Sequence, residues 1–142
     1  MSAAPGIDGA LVGLVIVSHS AKIAEGVVEL AAQMAGSEVR IVAAGGLEDG
    51  AIGTDATRIM AAIQAADAGA GVVVMADLGS AVLSASTALE LLGPERAARV
   101  RLSRGPVVEG AVVAAIQASI GDDLQAVCDT ADAMLSVDKL GG

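Results

Sequence analysis

The sequence predicts an α/β protein: a small, open, mostly parallel sheet of about four strands, with helices on both faces. Three observations predict it. Short, almost wholly apolar runs rich in β-branched residues recur along the chain, as in strands covered on both faces. Amphipathic stretches of helical period separate them, so strands return roughly every 25–30 residues, the spacing of βαβ units. The 142 residues also lie near the modal domain size. The expected organisation is a flexible leader over 1–10, a single domain over 11–138 and a tail over 139–142.

Leu11 to Val17 (LVGLVIV) reads as the first strand. Ile23, Val27, Leu30 and Met34 then recur at helical spacing and predict the core-facing stripe of a helix closing at Gly36. Val39 to Ala43 (VRIVA) is the second strand, followed by a Gly-rich loop, GGLEDGAIG. Thr54 is expected to cap a helix carrying Ala56, Ile59, Met60 and Ile63. Gly71 to Ala76 (GVVVMA) is the third strand. Asp77-Leu78-Gly79-Ser80 turns from it into a helix bearing Val82, Leu89 and Leu92, ended by Gly93-Pro94. Arg99 to Ser103 (RVRLS) is shorter in apolar content and predicts an edge strand. Two helices follow, near 107–120 and 123–135, with Gly121 as the break and Asp122 or Asp123 as the second cap.

Composition excludes several functions. Seventeen acidic against eight basic side chains give a net charge of −9, and Phe, Tyr and Trp are absent. Such a chain has neither the basic stripe nor the stacking platforms of nucleic-acid binding. The one cysteine, Cys128, cannot form an intramolecular disulfide, and one histidine cannot supply a Cys₂His₂ zinc site. No metal is expected. No apolar run approaches the roughly 20 residues of a membrane span, and MSAAPGIDGA lacks the charged and apolar regions of a signal peptide. A cytoplasmic protein is expected.

In open parallel sheets ligands sit beyond the carboxyl ends of the strands, which reduces the search to four loops. The first, Val17-Ser18-His19-Ser20, holds the only histidine. By position alone His19 is as readily a capping or packing residue as a functional one. Chemistry favours function: an unperturbed imidazole titrates at about 6.5, leaving a nucleophilic fraction at neutral pH. The N–H groups of the following helix start would favour a phosphoryl group on that ring. Ser18 and Ser20 can offer hydroxyls to phosphate oxygens or simply cap the helix.

The third loop holds Asp77, Gly79 and Ser80. First and third strands are commonly neighbours in such sheets, which would bring Asp77 beside His19. A carboxylate on one ring nitrogen fixes the tautomer and leaves the other free to attack. Gly79 allows close backbone approach, and Ser80 begins a helix whose N–H groups can hold phosphate; capping alone would also account for Asp77 and Ser80. The second loop is long enough for a flap, with Thr54 as a cap or a phosphate contact. The fourth, from Arg104 to Gly110, offers a basic contact in Arg104. A P-loop, a dinucleotide fingerprint and a nucleophile elbow are all missing.

Taken in order, LVIVSHSAKIAEGVVELAAQM, AIGTDATRIMAAI, VVVMADLGSAVLSASTALELL and RVRLSRGPVVEGAVVAA resemble the phosphocarrier subunits of phosphoenolpyruvate-dependent dihydroxyacetone kinase. The likeness covers about residues 11 to 120, and the pairing of VSHS with DLGSA is its most specific part. The chain is similar, more distantly, to the mannose-type IIA domains of the sugar phosphotransferase system. The resemblance implies a dimeric α/β sandwich and a phosphohistidine intermediate, with no tightly bound cofactor. His19 would accept a phosphoryl group from HPr, and Asp77 would orient it. Ser20, Thr54, Gly79 and Ser80 would surround the phosphate. The group would pass to ADP held on the kinase L subunit, supporting dihydroxyacetone phosphorylation on the K subunit, a phosphoenolpyruvate–glycerone phosphotransferase activity. The alternatives are a IIA component serving a IIB domain in sugar uptake, and a non-catalytic α/β binding or regulatory module.

Overall fold

The computed structural model describes residues 9–141; most of the expected leader and the last residue of the expected tail lie outside them. Strands β1 (Gly13–Ser18), β2 (Ile41–Gly45), β3 (Val72–Ala76) and β4 (Val100–Leu102) form one parallel sheet in the order β2-β1-β3-β4. Helices α1 (Ala21–Ala35), α2 (Ala56–Ala66), α3 (Gly79–Leu92), α5 (Val107–Ser119) and α6 (Leu124–Ala133) alternate with them, and a 3₁₀ turn follows at Met134–Ser136. The short α4 (Pro94–Ala97), with Pro at its start, was not expected from the sequence. β4 is an edge strand as predicted, and so is β2.

Alternate side chains of the central strands feed two cores. Leu14, Ile16, Val73 and Met75 pack on one face beneath α1, α5 and α6. Val15, Val17, Val72 and Val74 pack on the other beneath α2 and α3. All eight strand residues are buried, which accounts for the unbroken apolar runs. Without aromatic rings the large volumes come from the strands, and the helices answer mainly with alanine: Ala24 and Ala31 of α1, Ala81, Ala85 and Ala88 of α3, Ala111, Ala114, Ala115 and Ala118 of α5.

The stripe predicted for α1 is therefore corrected. Of Ile23, Val27, Leu30 and Met34 only Val27 is buried, and the other three are about half exposed. Val82 of α3 is also exposed, while Leu89 and Leu92 pack partly against the core. The strands already fill much of the layer, so α1, α3 and α5 approach mainly through their smallest side chains, whereas α2 buries Ile59 and Ile63 as predicted. The start of α1 lies close to the end of β2: a Cβ on Gly45 would stand 2.6 Å from the Ser20 carbonyl oxygen and 2.7 Å from the Ala24 methyl. Only glycine permits that approach, and it brings the second loop against the first.

Candidate functional site

β1 ends in buried Ser18, and the chain leaves the sheet through His19 and Ser20 into α1. Ser20 is the N-cap, its hydroxyl accepting from the Ile23 N–H at 3.3 Å. β3, hydrogen-bonded to β1, ends one residue before Asp77, whose N–H donates to the Val17 carbonyl at 3.1 Å. This adjacency carries Asp77 to His19, as the strand order expected from the sequence required.

The Asp77 carboxylate accepts four hydrogen bonds. Oδ2 accepts from the His19 N–H at 3.0 Å and the Ser18 hydroxyl at 2.8 Å. Oδ1 lies 3.0 Å from His19 Nδ1 and accepts from the Leu78 N–H at 2.8 Å. Burial works against ionisation of this group, yet the donors, led by the His19 N–H and the Ser18 hydroxyl, hold its carboxyl below the ordinary carboxylate range. An ionised carboxylate only accepts, so Nδ1 carries the ring proton and Nε2 presents a lone pair. The Ser80 hydroxyl, 2.6 Å from Nε2, donates to it. The ring is thus clamped between a buried anion and an exposed hydroxyl. Its side chain keeps 22% of its surface exposed, enough for one nitrogen to be reached from solution.

The other expected phosphate contacts fall differently. Gly79 opens α3, and a Cβ there would meet nothing within 4 Å, so the space beside Ser80 is free. Neither Asp77 nor Ser80 caps α3: its N-cap is Leu78, without a side-chain bond, so first-turn N–H groups remain available. Thr54 does not cap α2. Asp55 does, its Oδ1 accepting from the Thr57 N–H at 2.9 Å. The Thr54 hydroxyl instead pairs with Ser84 of α3 at 2.6 Å. The Gly53 N–H donates to the His19 carbonyl at 2.9 Å, so the second loop is fastened on both sides of the histidine.

Arg104 is exposed on a cleft of about 290 Å³ that Asp77, Leu78, Gly79 and Val82 also line. Its turn is held by Asp132, which accepts from the Ser103 hydroxyl and the Arg104 N–H at 2.5 and 2.9 Å. Sequence reasoning missed this role of Asp132, which is distant in the chain and carries no motif. It also missed a collar of exposed apolar side chains around the site: Ile23, Ile52, Leu78, Val82 and Leu83. Among the described residues no group of three or more His, Cys, Asp and Glu is arranged to hold a metal ion. No helix among them is long and apolar enough to cross a membrane.

Residues 13–128 match the family model described as the fructose IIA component of the phosphotransferase system, EIIA-man. The chain is 51% identical over 120 residues to the phosphoryl donor subunit DhaM of the PEP-dependent dihydroxyacetone kinase of Escherichia coli, covering 82% of this chain and 25% of that protein. The homologous subunit of kinase 2 from Listeria innocua is 39% identical over 82% of this chain and 94% of its own length. The chain therefore spans about a quarter of the first relative and nearly all of the second. A crystal structure of a protein of unknown function superposes with a TM-score of 0.79 at 37% identity, covering 87% of this chain and 94% of that one. The dihydroxyacetone kinase of C. freundii shares the fold at a TM-score of 0.54 and 16% identity, over 89% of this chain and 25% of its own.

Proposed function

Starting from a chain that belongs to the mannose-type IIA family and to the phosphoryl donor subunits of dihydroxyacetone kinase within it, we propose that this protein carries a phosphoryl group on Nε2 of His19. One observation carries the reading: Nδ1 faces the Asp77 carboxylate at 3.0 Å while Nε2 meets only a movable hydroxyl at 2.6 Å. The Nε2 lone pair attacks the phosphorus of a phosphohistidine on HPr, and the donor's N–P bond breaks. Nδ1 keeps its proton throughout, and the positive charge arising on the ring is matched by Asp77. Ser80 turns from Nε2 to a phosphoryl oxygen, beside the free N–H groups at the start of α3. A phosphoramidate already has high transfer potential, so positioning and dipoles suffice.

Discharge is to ADP on the kinase L subunit, in the cytoplasm, supporting dihydroxyacetone phosphorylation on the K subunit. The second reading, delivery to a IIB domain in sugar uptake, draws on the family model's description. Incubation with phosphoenolpyruvate, Enzyme I and HPr should give an acid-labile, base-stable adduct in the intact mass. His19→Ala should abolish it, and an adduct that survives this substitution sinks the reading. L subunit with ADP should discharge the adduct; discharge only by a IIB domain selects the second reading. The half-exposed Ile23, Leu30 and Met34 suit a homodimer, which light scattering should report.

A further inference from the structure

Ser18 and Ser103 are the buried polar side chains among the described residues. From the sequence Ser18 could have offered its hydroxyl to phosphate; at the end of β1 it is wholly enclosed and faces away from solvent. Its hydrogen bonding runs in one direction. The Ser20 N–H donates to Oγ at 3.0 Å, so the hydroxyl proton must point elsewhere, and Asp77 Oδ2 stands 2.8 Å away. The same Oδ2 takes the His19 N–H at 3.0 Å. The peptide that becomes the α1 cap, the buried serine and the carboxylate are therefore wired in series.

We propose that Ser18 is a positioning residue: its hydroxyl holds the Asp77 carboxylate in the orientation that keeps His19 in its Nδ1–H form, with Nε2 bare. This deepens the carrier reading of His19 and rests on it for its purpose. A free neutral imidazole side chain favours the opposite, Nε2–H tautomer. That form would place its lone pair on Nδ1, against the carboxylate and out of reach of any partner. The tautomer must be imposed, and the imposing carboxylate could turn about its Cβ–Cγ bond if one of its oxygens lost an anchor. Ser18 provides that anchor from the buried side, where water cannot substitute for it. The geometry also separates the two serines: Ser80 meets the attacking nitrogen, whereas Ser18 meets only Asp77 and the Ser20 N–H.

The test is ¹⁵N NMR of the ring nitrogens in the unphosphorylated protein, unambiguous because the chain has one histidine. In the wild type at mildly alkaline pH, Nδ1 should show the protonated and Nε2 the bare shift. Ser18→Ala should raise the Nε2–H fraction at least about threefold, and slow adduct formation from HPr in proportion to the Nδ1–H fraction lost. Ser18→Thr, which keeps the hydroxyl, should return both toward wild type. If Ser18→Ala does not fold by circular dichroism, Ser18→Cys, a weaker donor of similar size, takes the same measurement. Wild-type ring shifts in the folded, hydroxyl-poor variant overturn the proposal. Because the tautomer is read without phosphate, an absent adduct in every protein would sink the carrier reading while the shifts still decide the role of Ser18.

Discussion

Asp77 accepts two hydrogen bonds from backbone N–H groups, those of His19 and Leu78, so replacing it has two separable effects. Asp77→Asn can keep an oxygen toward Nδ1, but its amide nitrogen then faces the His19 N–H, which has no other partner. That unmet donor should cost about 1–3 kcal/mol of stability, seen as a lower urea midpoint, and loading of His19 should fall at least about tenfold. The stability gap has a defined pH dependence. The folded-state pKa of Asp77 is depressed, so its stabilisation is full above the unfolded value and is lost as pH falls through the folded one. The gap between wild type and Asp77→Asn should therefore narrow below about pH 4. Ser80→Ala should separate the effects in the other sense. Ser80 is exposed, so stability should stay within about 0.5 kcal/mol, while adduct formation drops roughly tenfold for want of a donor to the phosphoryl oxygens. The pairing of His19 with Asp77 was legible because strand adjacency and two short motifs suffice to place it. The four bonds into one carboxylate were not legible, since they depend on backbone directions within a single turn.

At the scale of the element, the start of α2 shows why neighbouring cap residues defeat sequence reading. Thr54 and Asp55 are both cap types, and one residue of register decides between them. Asp55→Ala should cost about 1 kcal/mol, measured by urea unfolding. Thr54→Val should leave the helix start intact and release the second loop from Ser84, raising amide exchange at Gly53. Strands and helices themselves were legible to within a few residues, because buried parallel strands leave no polar alternation to confuse them. The inward faces of α1 and α3 were not, although α2 buries Ile59 and Ile63 as its spacing predicts. Hydropathy ranks Ile23, Leu30 and Met34 above Ala24 and Ala31, yet the alanines are buried. What decides is the volume left over by the strand side chains, a property of the assembled layer rather than of the helix. Ile23, Val82 and Leu83 of the collar around His19 follow from the same cause, larger side chains displaced from the inner face of a helix, while Ile52 and Leu78 stand on the loops beside it.

The whole molecule gathers its reactive groups at one end and seals the rest. Cys128 on α6 is buried in the core, where burial first, and then Asp132 and Asp129, push its thiol up to about 11. Alkylation of the native protein near neutral pH should be negligible over hours and should appear together with global unfolding in urea, making the thiol a reporter for a chain without aromatic absorbance. All four strands are parallel, so the loops that leave their carboxyl ends open in one direction, and the first and third of them converge on one ring nitrogen, His19 Nε2. Two large proteins cannot occupy that nitrogen together. If His19 carries a phosphoryl group as proposed, donor and recipient take turns, so steady-state turnover should give parallel lines in double-reciprocal plots, the ping-pong form. Either unphosphorylated partner in excess should inhibit by occupying the place that the other needs.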